Sequence, residues 1–523
     1  TIVIRDGLII TVGKKVKIPA HVTSIKMNEK HIYAGFIESW MDVESKPDTS
    51  SLELHWNSNM RAHLKASDIY KPSRDRLNEL RELGFTTAHI APDGGIFQGR
   101  SSLVQISNQP KILSNEIAQI IEFKSGGWGA KQYPTSLLGA IAFVRQGFID
   151  AEWYGKSQNI LSKYPDGNEQ IQIDQSLNTL NASVRQESPF IFKTNNEIYI
   201  DRAFNISEEF DLKLWIKGSG FEYRRIAELP KTFMIIPINF PAKPDVTNPH
   251  SALQYSTKQL KHWDIAPDNL MRLKQADFLF SITTSGLKTK GDFRNNLSKA
   301  VRRGFSKADA LASLTTLPAD AFGQSERLGK IKPGYIANLV VTDGSYFNTA
   351  SIVKSVWIGG EEFEIDPDPI VDAAGIWTVK ERERTWVLEI NKADLSYSGI
   401  IKKDGKSISV QSLSIDQDRI SFAVNDTSLF KFGATRFAGN IANKAMRGKI
   451  TYADNKTSQW SAILDSKTKN SEEIFTDEIP SKLKVFYPEG AYGLDSRISQ
   501  PRTILVDDAT IWTSGPDGVL KEY

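Results

Sequence analysis

The stretch from His31 to Asp42 is the first part of the chain whose residue types suggest a chemical site. Its apolar run, Ile32 to Ile37, is interrupted by Gly35 and ends in polar residues. This pattern is typical of a buried strand that delivers side chains to a site. The delivered residues are Trp40 and Asp42. A carboxylate can serve a hydrolytic or ligand-binding site, whereas an indole cannot ligate a metal.

Other common catalytic signals are missing from the sequence. The chain has no cysteine, which excludes disulfides, thiolate metal sites and a cysteine nucleophile. Gly218-Ser219-Gly220 lacks the spacing of a G-x-S-x-G nucleophile elbow. The segment from Gly323 to Lys330 has one residue too many for a phosphate-binding loop, and Ile331 stands where Ser or Thr is needed.

Length and composition describe a globular protein of two or three domains, since it has 523 residues, of which 40% are hydrophobic. Lys and Arg outnumber Asp and Glu by 65 to 62, and this small surplus favours neither nucleic acid nor an anionic membrane as a partner. The most apolar window, around Met234, is far shorter than the roughly 20 residues that cross a bilayer. We therefore expect no membrane span.

Elements that could position such a site lie between residues 35 and 324, where strand-like and helix-like runs alternate. This alternation predicts a parallel α/β domain, and its length suits a (β/α)8 barrel of about 250 residues better than a doubly wound sheet. A helix is predicted over Asp292 to Arg303, followed by another that begins at Ser306. An added hairpin on the barrel rim is predicted from Gly95 to Ser107. The predicted strands are Thr86 to Pro92, Phe190 to Thr194, Leu212 to Lys217, Phe233 to Phe240 and Phe278 to Thr284.

The flanking regions are rich in β structure. Residues 1–34 contain two β-branched runs separated by Asp6-Gly7, a strong hairpin signal. After the barrel, Arg327 to Gly344 and Ser351 to Gly360 are predicted to be strand-turn-strand segments. An acidic, proline-containing linker then leads to short alternating runs over residues 376–465, which predict a small all-β barrel or sandwich. Residues 466–502 are predicted to form a second linker.

Two of these segments carry a resemblance to a known family. R-L-G-K-I-K-P-G-Y-I-A-N-L-V-V-T-D, from Arg327, and V-K-S-V-W-I-G-G, from Val353, resemble the C-terminal signature of the amidohydrolase superfamily. The opening stretch resembles that family's G-F-I-D-x-H-x-H box. The resemblance implies a TIM-type barrel over residues 35–324, beside a composite β-sandwich formed by residues 1–34 and 325–364.

Further segments narrow the resemblance. Glu79 to Gly99 and Leu260 to Asn269 resemble an imidazolonepropionase-like subgroup found in long bacterial tandem proteins. The final residues, 503–523, include T-I-L-V-D-D-A-T-I-W-T, which is similar to the first strand of another amidohydrolase domain. This strand either begins a second unit or completes the N-terminal sheet. We favour the tandem interpretation, and we expect some contact between the two termini.

Amidohydrolases use one or two divalent metals to activate water, and the resemblance implies where their ligands would lie. The family places two His after strand 1, a Lys or Glu on strand 4, a His on each of strands 5 and 6, and an Asp on strand 8. The strand 1 pair falls on Trp40 and Asp42. The other positions fall on Lys193 or Asn195 for strand 5, Lys217 to Ser219 for strand 6, and Ser285 for strand 8. None of the seven histidines lies at these positions.

Two interpretations of these polar residues stay open. They form a cluster at the barrel mouth that binds a ligand by hydrogen bonds, or they are solvated relics of a lost site. The predicted ligand-binding residues are Trp40, Asp42, Lys193, Asn195, Lys217, Ser219, Asn239 and Ser285. No residue is assigned as catalytic or as a metal ligand.

The leading functional hypothesis is an amidohydrolase-like module that has lost its metal ligands and acts as a scaffold or binding half of a larger tandem hydrolase. The first alternative is an active hydrolase of amide or cyclic amide bonds with an unorthodox site that uses Asp42, a lysine and a divalent metal such as zinc. The second is a surface-binding protein that acts through the small β domain. No cofactor is expected under the leading hypothesis. The expected partner is a second amidohydrolase unit, C-terminal or in an associated chain, and a multi-protein assembly is a further expectation. The resemblance implies a periplasmic, cell-surface or secreted location.

Overall fold

The computed structural model describes residues 1–16, 21–45, 54–126, 132–367, 373–393, 396–426, 430, 433–442, 444–466, 477–488 and 503–521. The chain divides into two compact units, Thr1–Ser481 and Lys482–Tyr523. Among the described residues, no helix combines the length and the apolar character needed to cross a membrane.

The N-terminal strands are β1 (Ile2–Arg5), β2 (Leu8–Val12) and β3 (His31–Ala34). β1 and β2 pair antiparallel around Asp6-Gly7. Both turn residues have positive φ, as a two-residue hairpin requires. The predicted hairpin is therefore confirmed.

A barrel wall follows, and its strands come in two parallel sets. β4 pairs with β5, and β9 to β13 form a continuous parallel series. The strands from this region are β4 (Phe36–Glu44), β5 (Phe85–Asp93), β6 (Phe97–Arg100), β7 (Ser102–Gln105), β8 (Ile112–Ser114), β9 (Gln119–Glu122), β10 (Phe190–Lys193), β11 (Leu214–Lys217), β12 (Phe233–Pro237) and β13 (Phe280–Thr283).

The two parallel sets are joined by β6 and β7, which corrects the predicted rim hairpin. β6 pairs antiparallel with β9, whereas β7 pairs antiparallel with β5. Nearly every residue from Phe97 to Gln105 is buried, so the segment lacks the exposed face of a rim hairpin. The described wall thus contains seven parallel strands and this bent antiparallel one, where eight parallel strands were expected.

Helices cover the outside of this wall, and the predicted one at Asp292 is confirmed to within a residue. The side chain of Ser306 caps the next helix, as its sequence pattern predicts. The helices are α1 (Ala66–Ile69), α2 (Arg74–Glu82), α3 (Leu137–Lys163), α4 (Gln175–Arg185), α5 (Glu197–Glu209), α6 (Pro249–Ala252), α7 (Thr257–Ile265), α8 (Asn269–Gln275), α9 (Asp292–Arg302), α10 (Lys307–Leu314) and α11 (Thr316–Ala321), with short 3₁₀ turns at Glu222–Arg224, Ile226–Glu228 and Ala266–Asp268.

Each barrel strand has two buried faces. One face packs against the helices in the main core. On β4, β5, β9, β10, β11 and β12, the other face contributes to a smaller cluster inside the barrel, which contains Ile37, Trp40, Ile191, Trp215 and Ile235. A strand buried on both faces carries a nearly continuous apolar run, which is why these strands could be found in the sequence.

The strands after the barrel are β14 (Leu339–Thr342), β15 (Val353–Ile358) and β16 (Glu361–Glu364). β14 pairs antiparallel with both β15 and the N-terminal β3, so the two flanks of the barrel meet in one sheet. The amide of Ile9 also donates to the carbonyl oxygen of Tyr335 at 2.8 Å. The predicted composite sandwich stays a prediction beyond these pairings.

A nine-stranded antiparallel sheet accounts for the predicted all-β region. β17 pairs with both β18 and β25, which joins two meanders. Its core includes Trp377, Leu388, Phe422, Phe437 and Trp460. The strands are β17 (Gly375–Glu381), β18 (Arg384–Ala393), β19 (Ser396–Lys403), β20 (Lys406–Ser409), β21 (Gln411–Asp416), β22 (Arg419–Val424), β23 (Thr435–Ala442), β24 (Ala445–Thr451) and β25 (Thr457–Ser466).

Part of the predicted second linker is fixed to the barrel. The Ser481 amide donates to Asp268 Oδ2 at 2.7 Å, and Arg303 Nη1 donates to the carbonyl oxygen of Ile479 at 3.0 Å. In the second unit, β26 (Ile511–Trp512) pairs antiparallel with β27 (Val519–Leu520). Whether β26 begins another amidohydrolase unit stays a prediction.

Candidate functional site

A lysine and three carboxylates meet where four barrel strands end. Asp42, Asp93 and Glu122 lie at or near the carboxyl ends of β4, β5 and β9, and Lys193 ends β10. Lys193 Nζ lies 2.8 Å from Asp93 Oδ1, 3.3 Å from Asp42 Oδ1 and 3.5 Å from Glu122 Oε2. We call these four residues the Lys193 cluster. It occupies the end of the barrel where α/β barrels place their active sites.

The charges of the Lys193 cluster fix its protonation. Burial alone would lower the pKa of Lys193, but attraction to Asp42, Glu122 and Asp93 outweighs burial and holds that pKa above its usual value. Burial would likewise raise the pKa of Asp93, yet the hydrogen bond and charge of Lys193 lower it. Lys193 is therefore an ammonium at neutral pH, with no lone pair for a metal or an electrophile.

Trp40 fills the barrel interior beside the Lys193 cluster. Its side chain is only 2% exposed, and its Nε1 donates to Asp42 Oδ1 at 2.9 Å. Lys193 Nζ lies 5.9 Å from the centre of the indole ring, within cation–π range. Trp40 therefore orients Asp42 and contributes to holding the lysine.

His89 lies deeper in the barrel and supports Trp40. Their rings meet edge to face at 5.9 Å, and His89 stacks on Phe322 at 4.3 Å. Its Nδ1 lies 2.9 Å from the carbonyl oxygen of Ser39. Burial lowers the pKa of His89 to about 4, so the ring is neutral and acts in packing.

Lys217 is the second lysine at the barrel mouth and the register partner of Lys193 on the neighbouring strand. Its Nζ donates to the carbonyl oxygen of Gly218 at 3.2 Å. Burial, helped by the charge of Lys193, lowers the pKa of Lys217 to about 8, although Asp42 and Glu222 oppose the shift. Lys217 thus has a larger neutral fraction than an ordinary lysine at the same pH.

The loop after β11 is built around the buried carboxylate of Glu222. The amides of Ser219 and Gly220 donate to its Oε1 at 2.6 and 3.0 Å, and Asn269 Nδ2 donates to its Oε2 at 2.7 Å. The sequence from Glu222 to Arg225 predicts a helix start with an exposed face. A short 3₁₀ helix does begin at Glu222, but residues 222–224 are buried, because the backbone amides and Asn269 satisfy the carboxylate inside the protein. The hydroxyl of Ser219 is buried, without a hydrogen-bond partner in the described part of the chain.

The remaining predicted site residues, Asn239, Ser285 and Asn195, lie outside the Lys193 cluster. Asn239 lies against the backbone of Gly286, where an added Cβ would stand 3.0 Å from Asn239 Nδ2. The amide of Ser285 donates to Thr283 Oγ1 at 3.0 Å, so its loop folds back on β13. Asn195 is exposed. The structure therefore brings together Trp40, Asp42 and Lys193, with Lys217 beside them, and it leaves Asn195 on the surface.

Four charged residues near the site were missed by the sequence prediction: Glu38, Asp93, Glu122 and Lys290. Glu38 is fully buried and accepts from the amides of Trp40 and Thr284 at 3.0 and 3.1 Å, which joins β4 to β13. Lys290 Nζ donates to the carbonyl oxygen of Thr284 at 3.0 Å, and burial lowers the pKa of Lys290. Asp93 and Glu122 each follow an apolar run, the same signal that identified Asp42.

Strand order gives each of these residues a position in the wall. β4 and β5 are followed by the bent strand β6–β7 and then by β9, β10 and β11. Counted from β4, Glu122 thus lies on the fourth wall strand, Lys193 on the fifth and Lys217 on the sixth. Glu122 is at the strand where the resembled family has Lys or Glu, and the assignment of Lys193 and Lys217 to ligand positions stays a prediction.

The side chains at these strand ends do not fit a metal centre of the family's kind. Trp40, at a position that the resemblance predicts for a ligand, has no coordinating atom, and the carboxylates of the Lys193 cluster are directed at an ammonium. Among the described residues, no group of three or more His, Cys, Asp or Glu side chains is arranged to hold a metal ion. The arrangement holds charged groups in fixed places at the barrel mouth, where the side chain of Asp42 is 42% exposed.

Comparisons with known proteins agree with this fold. A model of the amidohydrolase family matches residues 268–363. The protein "Amidohydrolase tasK" of Hapsidospora irregularis is 41% identical over 75 residues, which are 14% of this chain and 7% of that protein. The chain thus spans a small part of this curated relative's length. A solved amidohydrolase from Thermotoga maritima MSB8 has a TM-score of 0.56 at 21% identity, covers 69% of this chain and 94% of its own, and is similar in fold.

Proposed function

We propose that this chain, whose residues 268–363 match the amidohydrolase family, is a barrel of amidohydrolase type in which a lysine ammonium has replaced the catalytic metal. In this proposal the barrel is a non-catalytic binding or scaffold module of a larger hydrolase. The single observation that carries it is Lys193 Nζ, which lies within 2.8 to 3.5 Å of three carboxylates.

Charge balance supports the replacement. A divalent cation entering the cluster would meet a protonated lysine whose pKa is already raised by the same carboxylates that the cation needs. Displacing the ammonium would break three ion pairs, and leaving it in place would set like charges side by side. Both routes make metal binding unfavourable in the wild-type chain.

The test is the metal content of the full chain after equilibration with zinc or manganese and removal of free ions. We expect the wild type to hold far less than one metal per chain. Lys193→Met should gain at most a weak divalent-cation site, with a Kd no tighter than about 0.1–1 mM, because three carboxylates then lack a counterion but are not arranged around one metal position. The matched control is Lys213→Met, which removes an exposed lysine near β11 and should gain nothing. Stoichiometric metal in the wild type, lost on Asp42→Asn, would overturn the proposal.

A second candidate function rests on Lys217. An amine with a pKa of about 8 beside a carboxylate can act as a general base, so an active hydrolase with an unorthodox site would use Lys217 and Asp42. Hydrolysis of an amide or cyclic amide by the purified chain should then rise with pH around 8. It should be lost in Lys217→Met and Asp42→Ala but retained in Lys213→Met. Activity unaffected by the first two substitutions would exclude this site.

The partner and location belong to the same proposal. The imidazolonepropionase-like resemblance and the strand-like end of the chain motivate a second amidohydrolase unit as the partner, in a periplasmic, cell-surface or secreted protein. A competent G-F-I-D-x-H-x-H box in a segment that follows Tyr523 would support this view. Hydrolase activity that survives deletion of such a unit would contradict it.

A further inference from the structure

Helix α3 has two apolar faces. One face contributes Ala140, Val144, Phe148 and Ala151 to the barrel core. The opposite face carries large apolar side chains that are exposed: Leu138 is 79%, Ile149 50%, Trp153 56% and Ile160 52% exposed, and Tyr164, directly after the helix, is 66% exposed. With 100° between successive residues, the four helical positions fall within about 60° of one another. We call these five residues and the exposed Ala142 the α3 stripe.

Such a stripe is unusual on a surface helix. A surface helix normally alternates an apolar face with a polar one, and a helix that is apolar on both sides is normally covered on both. Two charged residues on this side of the helix are paired within the chain, and one of them, Lys156, has the same helical angle as Leu138. Lys156 Nζ lies 2.6 Å from Glu152 Oε1, and Arg145 Nε lies 2.6 Å from Glu209 Oε2. The stripe therefore offers mainly apolar contact.

The spacing of the α3 stripe identifies the occupant. Leu138 and Tyr164, Ala142 and Ile160, and Ile149 and Trp153 are three pairs, each placed symmetrically about position 151. When two identical helices run antiparallel about a two-fold axis at that position, every stripe residue meets its counterpart on the other copy. A self-complementary patch is what a symmetric dimer interface requires.

The exposed area of the α3 stripe is large enough for contact with a second copy of the chain. An aromatic side chain buries roughly 150–250 Å² when fully covered, and the exposed parts of the two aromatic, three aliphatic and one alanine side chains of the stripe together offer on the order of 600 Å² per copy. Two copies together would bury about 1,200 Å², the lower limit for a specific protein–protein interface. We propose that the α3 stripe is a homodimer interface in which α3 packs antiparallel against α3 of a second copy of this chain.

Sedimentation of the full chain across a wide range of concentration tests the dimer. The wild type should pass from monomer to dimer, and Trp153→Glu should weaken association at least about tenfold, because it places a charge at the centre of the apolar contact. Leu253→Glu is the matched control, since Leu253 is 85% exposed and lies outside α3. This variant should associate like the wild type. A chain that stays monomeric throughout, or equal weakening by both substitutions, would overturn the proposal.

Cross-linking tests the antiparallel orientation, and the absence of cysteine makes single-cysteine variants clean probes. In an antiparallel pair centred on position 151, the two copies of residue 152 are offset by roughly 3 Å along the axis, whereas the two copies of residue 163 are offset by about 36 Å. A short bismaleimide should therefore join copies of Glu152→Cys and leave Lys163→Cys unjoined. Cross-linking of Lys163→Cys, or of neither variant in a sample that sediments as a dimer, would overturn this orientation.

Discussion

Lys193→Met is expected to destabilise the barrel by about 2–3 kcal/mol at neutral pH. Removing one partner of a buried ion pair typically costs about 3–5 kcal/mol, because the other charge is left uncompensated. The cost is smaller here, since the side chains of Asp42 and Asp93 are 42% and 37% exposed and water screens them. Denaturation of the full chain, followed through the barrel transition, measures the loss, and Lys213→Met should stay within about 0.5 kcal/mol of the wild type.

The pH dependence of this loss has a distinctive sign. In the wild type, Asp93 has a lowered folded-state pKa, so its stabilisation is present above its unfolded pKa and is lost as pH falls through the folded value. Without Lys193, burial, which raises the pKa of Asp93, is no longer outweighed, so the folded-state pKa of Asp93 should rise. Lys193→Met should therefore gain stability relative to the wild type as the pH falls from 7 to about 5. A variant that follows the wild-type pH profile would show that Lys193 does not compensate these charges.

The sequence predicted those site residues that stand at the ends of clear strand patterns. Asp42, Lys193 and Lys217 end recognisable apolar runs, and the parallel geometry of β10 and β11 then places the two lysines side by side. Glu122 was missed because its strand, β9, lies outside the helix–strand alternation: no helix stands in the described stretch between β5 and β9. Local pattern does not encode which neighbour a short strand will choose.

The burial of Glu222 and the pairing of β6 and β7 could not be predicted from the sequence, because both depend on hydrogen bonds that only the folded structure shows. Residues 222–225 are expected to be exposed because charged side chains usually are. Glu222 is nevertheless buried, since backbone amides donate hydrogen bonds to its carboxylate, and amino-acid composition does not predict such bonds. Residues 97–105 look like a hairpin because two short runs are close in sequence. Each run instead satisfies its hydrogen bonds with a separate barrel strand, β6 with β9 and β7 with β5.

Trp40→Ala should have the largest effect on the barrel interior, with a loss of about 3–5 kcal/mol in the free energy of unfolding. The indole is 2% exposed and contacts His89, so its removal leaves a cavity that the strands cannot close without moving. Thermal or chemical denaturation of the full chain measures the loss.

Trp40→Phe separates packing from hydrogen bonding in the same position. Phenylalanine keeps most of the apolar volume but loses the Nε1 donor to Asp42, so we expect a loss of about 1–2 kcal/mol. Asp42 would then be held by Lys193 alone among these side chains, and Lys193→Met combined with Trp40→Phe should cost more than the sum of the single changes. Simple additivity would show that the indole packs in the barrel without orienting the carboxylate, and the proposed replacement of the metal would then rest on Lys193 by itself.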